Sequence, residues 1–247
     1  MDRISRLPIG VIETILCLLP IQEAARTSIL SKEWRYHWTK IPKLVFNENT
    51  FQVSNDGAEL SVLEQTFDKP SKRKEMAERC KLFYAIYQVL LMHEGPVHEF
   101  SLSMHIDGSC VEIDHILLHL SKKKTLKILT LDFYGSYRLP LSLFSLHQLT
   151  DLYLNDIVLD HQPSSYVFGS LTTLYLQEIR TCEKTLLRLL SSCPLLKRLS
   201  IMTDGGTIED SGDFTIANLI ECLPVIEYLS VWFFIFTVYL STWYILT

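Results

Sequence analysis

Apolar residues in the first twenty positions recur three and four apart, which is the spacing of one buried stripe along a helix. The stripe predicts a helix over residues 4–19, and Pro20 should end it because proline does not continue a helix. A second short helix is predicted over residues 22–29, and a third should begin after an N-cap at Ser31 and run through Trp38. Three helices in about forty residues bury too little surface to be stable alone, so this unit needs a partner.

Further along the chain the spacing changes, and the pattern Leu-x-x-Leu-x-Leu, or a close variant, occurs six times. The middle positions are separated by steps of 29, 23, 22, 25 and 30 residues, which lie in or next to the range of leucine-rich repeats. An isolated segment, Leu44-Val45-Phe46, predicts one more strand of this kind. The six copies are Val97/Phe100/Leu102, Leu126/Leu129/Leu131, Leu149/Leu152/Leu154, Leu171/Leu174/Leu176, Leu196/Leu199/Ile201 and Ile226/Leu229/Val231.

Each copy predicts a short strand whose alternate side chains point to one core, with the strands stacked in parallel. Helical returns are predicted over residues 76–92, 113–120, 185–190 (with Thr181 as N-cap) and 217–223, and irregular returns over 135–145 and 161–169. The fold class is therefore α/β: a small three-helix unit followed by a short solenoid. In such a solenoid the outward strand positions form an extended concave surface suited to protein recognition. The outward residues that we nominate for target binding are Ser101, Thr130, Tyr153, Tyr175, Ser200 and Ser230.

The composition argues against some classes of function but identifies none. The formal net charge of -5 and the isoelectric point near 5.9 argue against a nucleic-acid binder, which needs a basic surface. The six cysteines show neither a Cys-x-x-Cys pair nor a zinc-ligand spacing, and the N-terminus fits a secretory signal poorly. We expect reduced thiols and a location in the cytoplasm, the nucleus or both.

The sequence shows no convincing catalytic or cofactor motif. Gly-x-Ser-x-Gly, the phosphate-binding loop and Gly-x-Gly-x-x-Gly are all missing. His115 and His119 are four apart on a predicted helix, but the Glu of a His-Glu-x-x-His zinc site is absent, so we favour a solvated helix face. A hydrolase built on Cys193 would require a histidine partner. We therefore predict a non-catalytic protein with no cofactor and no metal.

The N-terminal residues resemble a known module. The runs Leu7-Pro8, Ile15-Leu16, Leu19-Pro20 and Ala24 through Lys32, followed by Trp34-Arg35, are similar to the F-box of the plant F-box/leucine-rich-repeat family, often FBD-associated. The resemblance implies a substrate-recognition subunit of an SCF-type ubiquitin ligase. The F-box would bind a Skp-type adaptor, and through it the cullin and RING core, while the repeats bind an unknown target protein. The adaptor-binding residues that it implies are Leu7, Pro8, Ile12, Leu16, Leu30 and Trp34.

Two alternatives stay open at this stage. Individual stripe residues, Val11 and Ile15 above all, would instead pack on the rest of the chain. A second function would be that of a small-molecule-sensing F-box receptor, in which the ligand completes the target surface. We divide the chain into an F-box over 1–41, repeats over 42–231 and an apolar aromatic tail over 232–247.

The C-terminal end is unusual, because residues 228–247 carry no formal charge. Members of the family commonly have more repeats and often a further small domain, so the resemblance suggests a C-terminally shortened chain. For the tail we keep three alternatives: an apolar cap on the last repeat, an altered or prematurely ended coding sequence, and a membrane anchor. The anchor is the least favoured, because only 16 residues remain after the last predicted strand and no Lys or Arg flanks them.

Overall fold

The computed structural model describes residues 7–32, 34–51, 72–106, 108, 110–160, 167–204, 208–209, 221–223 and 225–234. The chain forms two compact units. The first comprises residues 1–39 and 46–94, and the second comprises residues 40–45 and 95–247. In the described part of the chain, no helix combines the length and the apolar character that a membrane span requires.

The first unit is built from helices, as the apolar spacing predicts. Its α-helices are α1 (Ile9–Cys17), α2 (Ile21–Arg26) and α3 (Lys72–Met92), with 3-10 turns at Thr27–Ile29, Trp34–Lys40 and Glu48–Phe51. Pro20 acts as expected, because both α1 and its cap end before it. The start predicted at residue 4 is wrong for the described residues 7 and 8, since α1 begins at Ile9, directly after Pro8. The third predicted helix is a 3-10 helix instead, and the backbone N–H of Trp34 donates to the Ser31 hydroxyl at 3.2 Å.

The second unit is organised by one sheet whose strands follow the repeat. The strands of the described part of the chain are β1 (Lys43–Asn47), β2 (Glu99–His105), β3 (Ile128–Arg138), β4 (Asp151–Leu159), β5 (Thr173–Gln177), β6 (Arg180–Cys182), β7 (Arg198–Asp204), β8 (Ile208–Glu209) and β9 (Tyr228–Phe234). Their order is β1-β2-β3-β4-β5-β7-β9, and the pairs from β2 to β9 along this path are parallel. The predicted α/β class with stacked parallel strands is confirmed.

The register of the strands confirms the alignment of the repeats residue by residue. The middle leucine positions pair from one strand to the next, and so do the last positions two residues later. Within β2–β7 the side chains of both rows are almost entirely buried, so the rows form a continuous core. The first row is Phe100, Leu129, Leu152, Leu174, Leu199 and Leu229, and the second is Leu102, Leu131, Leu154, Leu176, Ile201 and Val231.

Two helices of this unit, α4 (Val111–Lys123) and α5 (Glu183–Ser191), confirm predicted returns. Each buries one apolar face, for example Ile113 and Leu117 on α4. One detail of the prediction is wrong. The residue that caps α5 is Cys182, because the Thr181 hydroxyl donates instead to the backbone oxygen of Leu159 at 2.9 Å. Most of the return predicted over 217–223 and most of the one over 161–169 lie outside the described residues.

The irregular return predicted from Gly135 is also wrong in its first part, since β3 continues to Arg138. The chain bends at residues with left-handed backbone, Ser136 (φ 65°), Asp156 (φ 52°) and Glu178 (φ 47°). Beyond this corner, the ends of β3 and β4 pair with each other, β6 pairs with β4, and β8 pairs with β6. The solenoid therefore has a second, shorter ladder, which the Leu-x-x-Leu-x-Leu pattern does not cover.

Candidate functional site

Helix α1 carries two apolar stripes with different environments. Ile12 and Leu16 are one helical turn apart and are almost entirely buried, with 3% and 0% of their surface exposed. Val11, Ile15 and Leu18 also follow helical spacing, and their exposed fractions are 43%, 37% and 81%. The stripe of Ile12 and Leu16 therefore packs in the interior of the protein, while the stripe of Val11, Ile15 and Leu18 exposes apolar surface to solvent.

Further apolar surface is exposed where the chain leaves α2. Ile29 is 87% exposed and Leu30 is 60% exposed. This part of the backbone is fixed by local hydrogen bonds: the hydroxyl of Ser28 lies 2.6 Å from the oxygen of Ala25 and 3.1 Å from that of Arg35. The two large side chains are thus presented from an ordered turn, which reduces the entropy that a partner would have to remove on binding.

The six predicted adaptor-binding residues divide between the two environments. Ile12, Leu16 and Trp34 are buried, Leu7 is half-buried, and Pro8 and Leu30 are exposed. The exposed stripe of α1 was visible in the sequence, but an apolar period does not say which of two neighbouring stripes faces the interior. Contact of any of these residues with an adaptor stays a prediction.

The target-binding residues that we nominated lie in one row across the sheet. Ser101, Thr130, Tyr153, Tyr175 and Ser200 pair in register on successive strands, and Ser230 continues the row on β9. All six are half-buried, as expected for side chains that alternate with core leucines. Their side chains share the outward face of the sheet, which we define as the non-core positions of β2–β5, β7 and β9. Target binding by this row stays a prediction.

The tyrosines of this row contact each other. The ring centroids of Tyr153 and Tyr175 are 6.1 Å apart with an interplanar angle of 37°. Their neighbours in the row are Thr130 on one side and Ser200 on the other, both with smaller side chains, and the two tyrosines themselves are half-buried. The pair therefore forms an aromatic platform at the centre of the outward face.

Polar residues beside the platform form a network that the sequence analysis missed. The Asp132 carboxylate accepts hydrogen bonds from Asn155 Nδ2 at 2.8 Å, Ser103 Oγ at 3.1 Å and the Tyr134 hydroxyl at 3.2 Å. Asp132 pairs in register with Asn155 on β4, two residues beyond Tyr153. The strand alternation of the sequence predicts that Asp132 points outward, but only the register between strands shows which tyrosine it lies beside.

The cysteine considered for hydrolysis has no nucleophilic character. Cys193 is 1% exposed, and its thiol donates to the backbone oxygen of Leu189 at 3.2 Å. Burial raises the pKa of Cys193 from 9.0 to about 12, so the thiol stays protonated at neutral pH. A hydrolytic reaction at this residue is thus unsupported.

The histidines of α4 remain two separate surface residues. His115 and His119 are both exposed. Partial burial of the ring lowers the pKa of His119, and repulsion from the charges of Lys123 and Lys122 lowers it further. Within the described ranges, no group of three or more His, Cys, Asp or Glu side chains is arranged to hold a metal ion.

Two family models match the parts that the structure separates. The F-box domain model matches residues 4–46. A model described as "FBD-associated F-box protein At5g56370, LRR repeats" matches residues 114–211. The first match covers α1, α2 and the exposed apolar residues, and the second covers the central strands with the tyrosine platform.

Whole-chain comparison gives relatives from Arabidopsis thaliana that are all named as F-box proteins, and two of the three reported below also have leucine-rich repeats in their names. F-box/FBD/LRR-repeat protein At1g13570 is 34% identical over 81% of this chain and 44% of its own length. Putative FBD-associated F-box protein At5g56440 is 31% identical over 88% of this chain and 46% of its own length. Putative F-box/FBD/LRR-repeat protein At4g13965 is 33% identical over 81% of this chain and 42% of its own length. The chain thus spans less than half the length of these relatives. On these similarities, and on a register that repeats with every leucine strand, the chain belongs to the plant family of F-box proteins with leucine-rich repeats.

Proposed function

We propose that this protein is a substrate-recognition subunit of an SCF-type ubiquitin ligase, in which the F-box binds a Skp-type adaptor and the repeats bind a target protein. The observation that carries the proposal is the exposed apolar surface of the segment that matches the F-box model, formed by the outer stripe of α1 together with Ile29 and Leu30. Apolar side chains at such exposure are typical of interaction sites when several occur close together in the chain.

The proposed adaptor contacts differ in part from those implied by the resemblance alone. Val11, Ile15, Leu18, Ile29 and Leu30 offer surface to a partner without any change in the fold. Ile12, Leu16 and Trp34 act by holding these residues in place from the interior. Burying each large exposed side chain stabilises a complex by roughly 1.5–3 kcal/mol before the costs of association.

The ligase function itself follows from holding two proteins together. The subunit performs no chemical step in this scheme. It raises the local concentration of the target near the ubiquitin-transfer site of the cullin and RING core. We also propose that it acts in the cytoplasm, the nucleus or both. A fluorescent fusion found in another compartment would contradict that location.

The adaptor interaction is tested with purified full-length chain and a purified plant Skp-type adaptor by titration on a biosensor. Leu18→Glu and Leu30→Glu place a charge in the proposed interface at positions that the fold itself leaves exposed. Each should weaken binding at least tenfold, because the charge would be buried without a partner. The matched control is Leu91→Glu on α3, where the side chain is 80% exposed and lies outside the F-box match.

Equal loss of binding by the control and by the two F-box variants would contradict this assignment of the surface. Absence of measurable binding by the unmodified chain would contradict the proposed function as a whole. The conservative pair Leu7→Ala and Pro8→Ala probes the start of the segment, and we expect it to weaken adaptor capture without unfolding the repeats.

A further inference from the structure

The outward face of the sheet has an aromatic centre with carboxylates on both sides. Asp151 precedes Tyr153 by two residues on β4, so both side chains point to the same face. On the other side, Asp132 is in register with Asn155, two residues after Tyr153. Asp151 is about 6.7 Å from Tyr153 along the strand. Asp132 is a diagonal neighbour of Tyr153 on the adjacent strand, at about 7–8 Å, so a group lying on the Tyr153 ring lies between the two carboxylates.

These two carboxylates differ from four other acidic residues of the same unit. Glu99, Asp156, Asp160 and Glu227 each have a Lys or Arg nitrogen within 2.7 Å, 3.8 Å, 2.9 Å and 2.6 Å, respectively. In the described part of the chain, by contrast, no Lys or Arg lies within ion-pair distance of the two carboxylates beside Tyr153. The patch is therefore negative and lacks an internal counter-ion.

The remaining hydrogen-bonding capacity is concentrated on Asp151. An ionised carboxylate offers about four lone-pair positions. Asp132 already accepts three hydrogen bonds, all from neutral donors. Asp151 accepts one, from the Thr150 hydroxyl at 2.7 Å. Asp151 is thus able to accept a two-pronged donor, while Asp132 contributes negative charge at the other edge of the ring.

We propose that this patch, formed by Tyr153, Tyr175, Asp132 and Asp151, binds an arginine side chain of the target protein. The inference rests on the proposed function and specifies the class of target segment. A guanidinium group is planar, stacks on aromatic rings and donates two parallel hydrogen bonds to one carboxylate. A lysine ammonium is a more strongly hydrated point charge without that fork, so the patch favours arginine over lysine.

One basic residue of the sheet lies near this position. Before the corner, the outward positions of β3, β4 and β5 are Ile128, Thr130, Asp132, Tyr134, Asp151, Tyr153, Asn155, Thr173, Tyr175 and Gln177, and none of them is a Lys or Arg. Arg198 on β7 donates to the Thr173 hydroxyl at 3.0 Å and 3.2 Å, and Thr173 pairs in register with Asp151. The Arg198 guanidinium is thus held by a neutral hydroxyl beside Asp151 and is not within ion-pair distance of that carboxylate. The charge of the central face is therefore complementary to a basic segment and unfavourable for an acidic one.

The test uses the purified full-length chain on an array of synthetic nonapeptides with several hundred random flanking sequences. Each flank is presented with arginine, lysine, citrulline or glutamate at the central position. Citrulline has the shape of arginine without its charge. Averaged over the flanks, binding to arginine should exceed binding to citrulline at least tenfold and binding to lysine about threefold.

Two variants examine the patch itself, and a third is the control. Asp151→Asn and Tyr153→Ala should each reduce the ratio of arginine to citrulline binding at least fivefold. Glu227→Gln is the matched control, because its carboxylate on the same unit is already paired with Lys197 at 2.6 Å, and its ratio should not change. Unfolding midpoints measured for all three establish that they are folded, and if Tyr153→Ala is not, Asp151→Asn decides the matter alone.

Equal binding of arginine and citrulline, a preference for glutamate, or an unchanged ratio in Asp151→Asn would each overturn the inference. Adaptor binding is measured on the same preparations and should be the same for all variants. Loss of the arginine preference with intact adaptor binding contradicts only this inference, whereas an unmodified chain that fails to bind the adaptor contradicts the proposed function.

Discussion

The corner of the solenoid gives a sharp test of how this fold is stabilised, and Asp156 is the residue to change. Its carboxylate accepts the backbone N–H of Gly135 at 2.7 Å and the hydroxyl of Ser136 at 3.3 Å. Its own backbone has φ of 52°, in the left-handed region. The side chain therefore joins two neighbouring repeats at a position where most residues are strained.

The magnitude follows from these contacts. A hydrogen bond to a charged group contributes about 1.5–3 kcal/mol, and we assign less than about 1 kcal/mol to the longer bond from Ser136. The Arg180 guanidinium, 3.8 Å away and 55% exposed, adds little because exposed ion pairs are screened by solvent. Left-handed backbone costs alanine about 1 kcal/mol more than aspartate, whereas glycine has no such cost.

Three substitutions should therefore rank in a fixed order. Asp156→Asn keeps an acceptor and tolerates this backbone, so we expect a loss of about 1 kcal/mol in the free energy of unfolding. Asp156→Gly loses the hydrogen bonds but relieves the backbone, for a loss of about 2 kcal/mol. Asp156→Ala loses the hydrogen bonds and also strains the left-handed backbone, so it should lower the free energy of unfolding by about 3–4 kcal/mol.

The assay is equilibrium urea unfolding, with the midpoints compared at a common slope. Asp160→Ala is the matched control, because it removes an equal charge whose partner is the 65% exposed Arg138. We expect the control to lose less than about 1 kcal/mol. A glycine variant as unstable as the alanine variant would refute the role of the left-handed backbone. An alanine variant within about 1 kcal/mol of the unmodified protein would refute the hydrogen-bond argument.

Two further predictions concern α4 and the buried thiol. Lys124 caps α4 with left-handed backbone (φ 52°), so Lys124→Gly should raise the free energy of unfolding by about 1 kcal/mol in the same urea assay. Lys122→Gly lies inside the helix and should lower the free energy of unfolding by about 1 kcal/mol. Burial raises the pKa of Cys193 to about 12, so iodoacetamide at pH 8 should modify the exposed Cys80 in the native protein and Cys193 only after unfolding. Peptide mass spectrometry measures the labelling of each cysteine. Rapid labelling of Cys193 in the native protein would contradict its burial. The sign for stability follows: the protonated thiol favours the folded state below pH 9, and this contribution is lost as the pH rises towards 12.

Much of the repeat architecture was readable from the sequence because its signal is local. A leucine at every second position of a short strand specifies which side chains face the core, and the same pattern recurring at similar steps specifies which strands stack. The register that pairs Leu131 with Leu154 and Leu154 with Leu176 is the one expected from aligning the repeats. A slip of one residue would turn every leucine to solvent, so the pattern leaves no alternative register.

The helical unit was readable only in outline. Pro20 indicates where α1 ends and where α2 begins, because the ring removes a donor and fixes φ, but the start of α1 after Pro8 was not predicted. The environments of Ile12 and Val11 were not readable, since both belong to apolar stripes of the same period. Which stripe is buried depends on the elements that pack against it, and the spacing within one helix does not contain that information.

What the sequence by itself determined about this protein is its class, the strands of its repeats and its membership in a family. Only the tertiary structure decided the bend at Ser136, Asp156 and Glu178, the apolar surface left on α1, and the position of Asp132 beside Tyr153. The physical reason is that strand alternation and helix period act between neighbours in the chain. The corner and the charged patch depend on contacts between residues about twenty or more positions apart, and the exposed stripe depends on which elements pack against the helix.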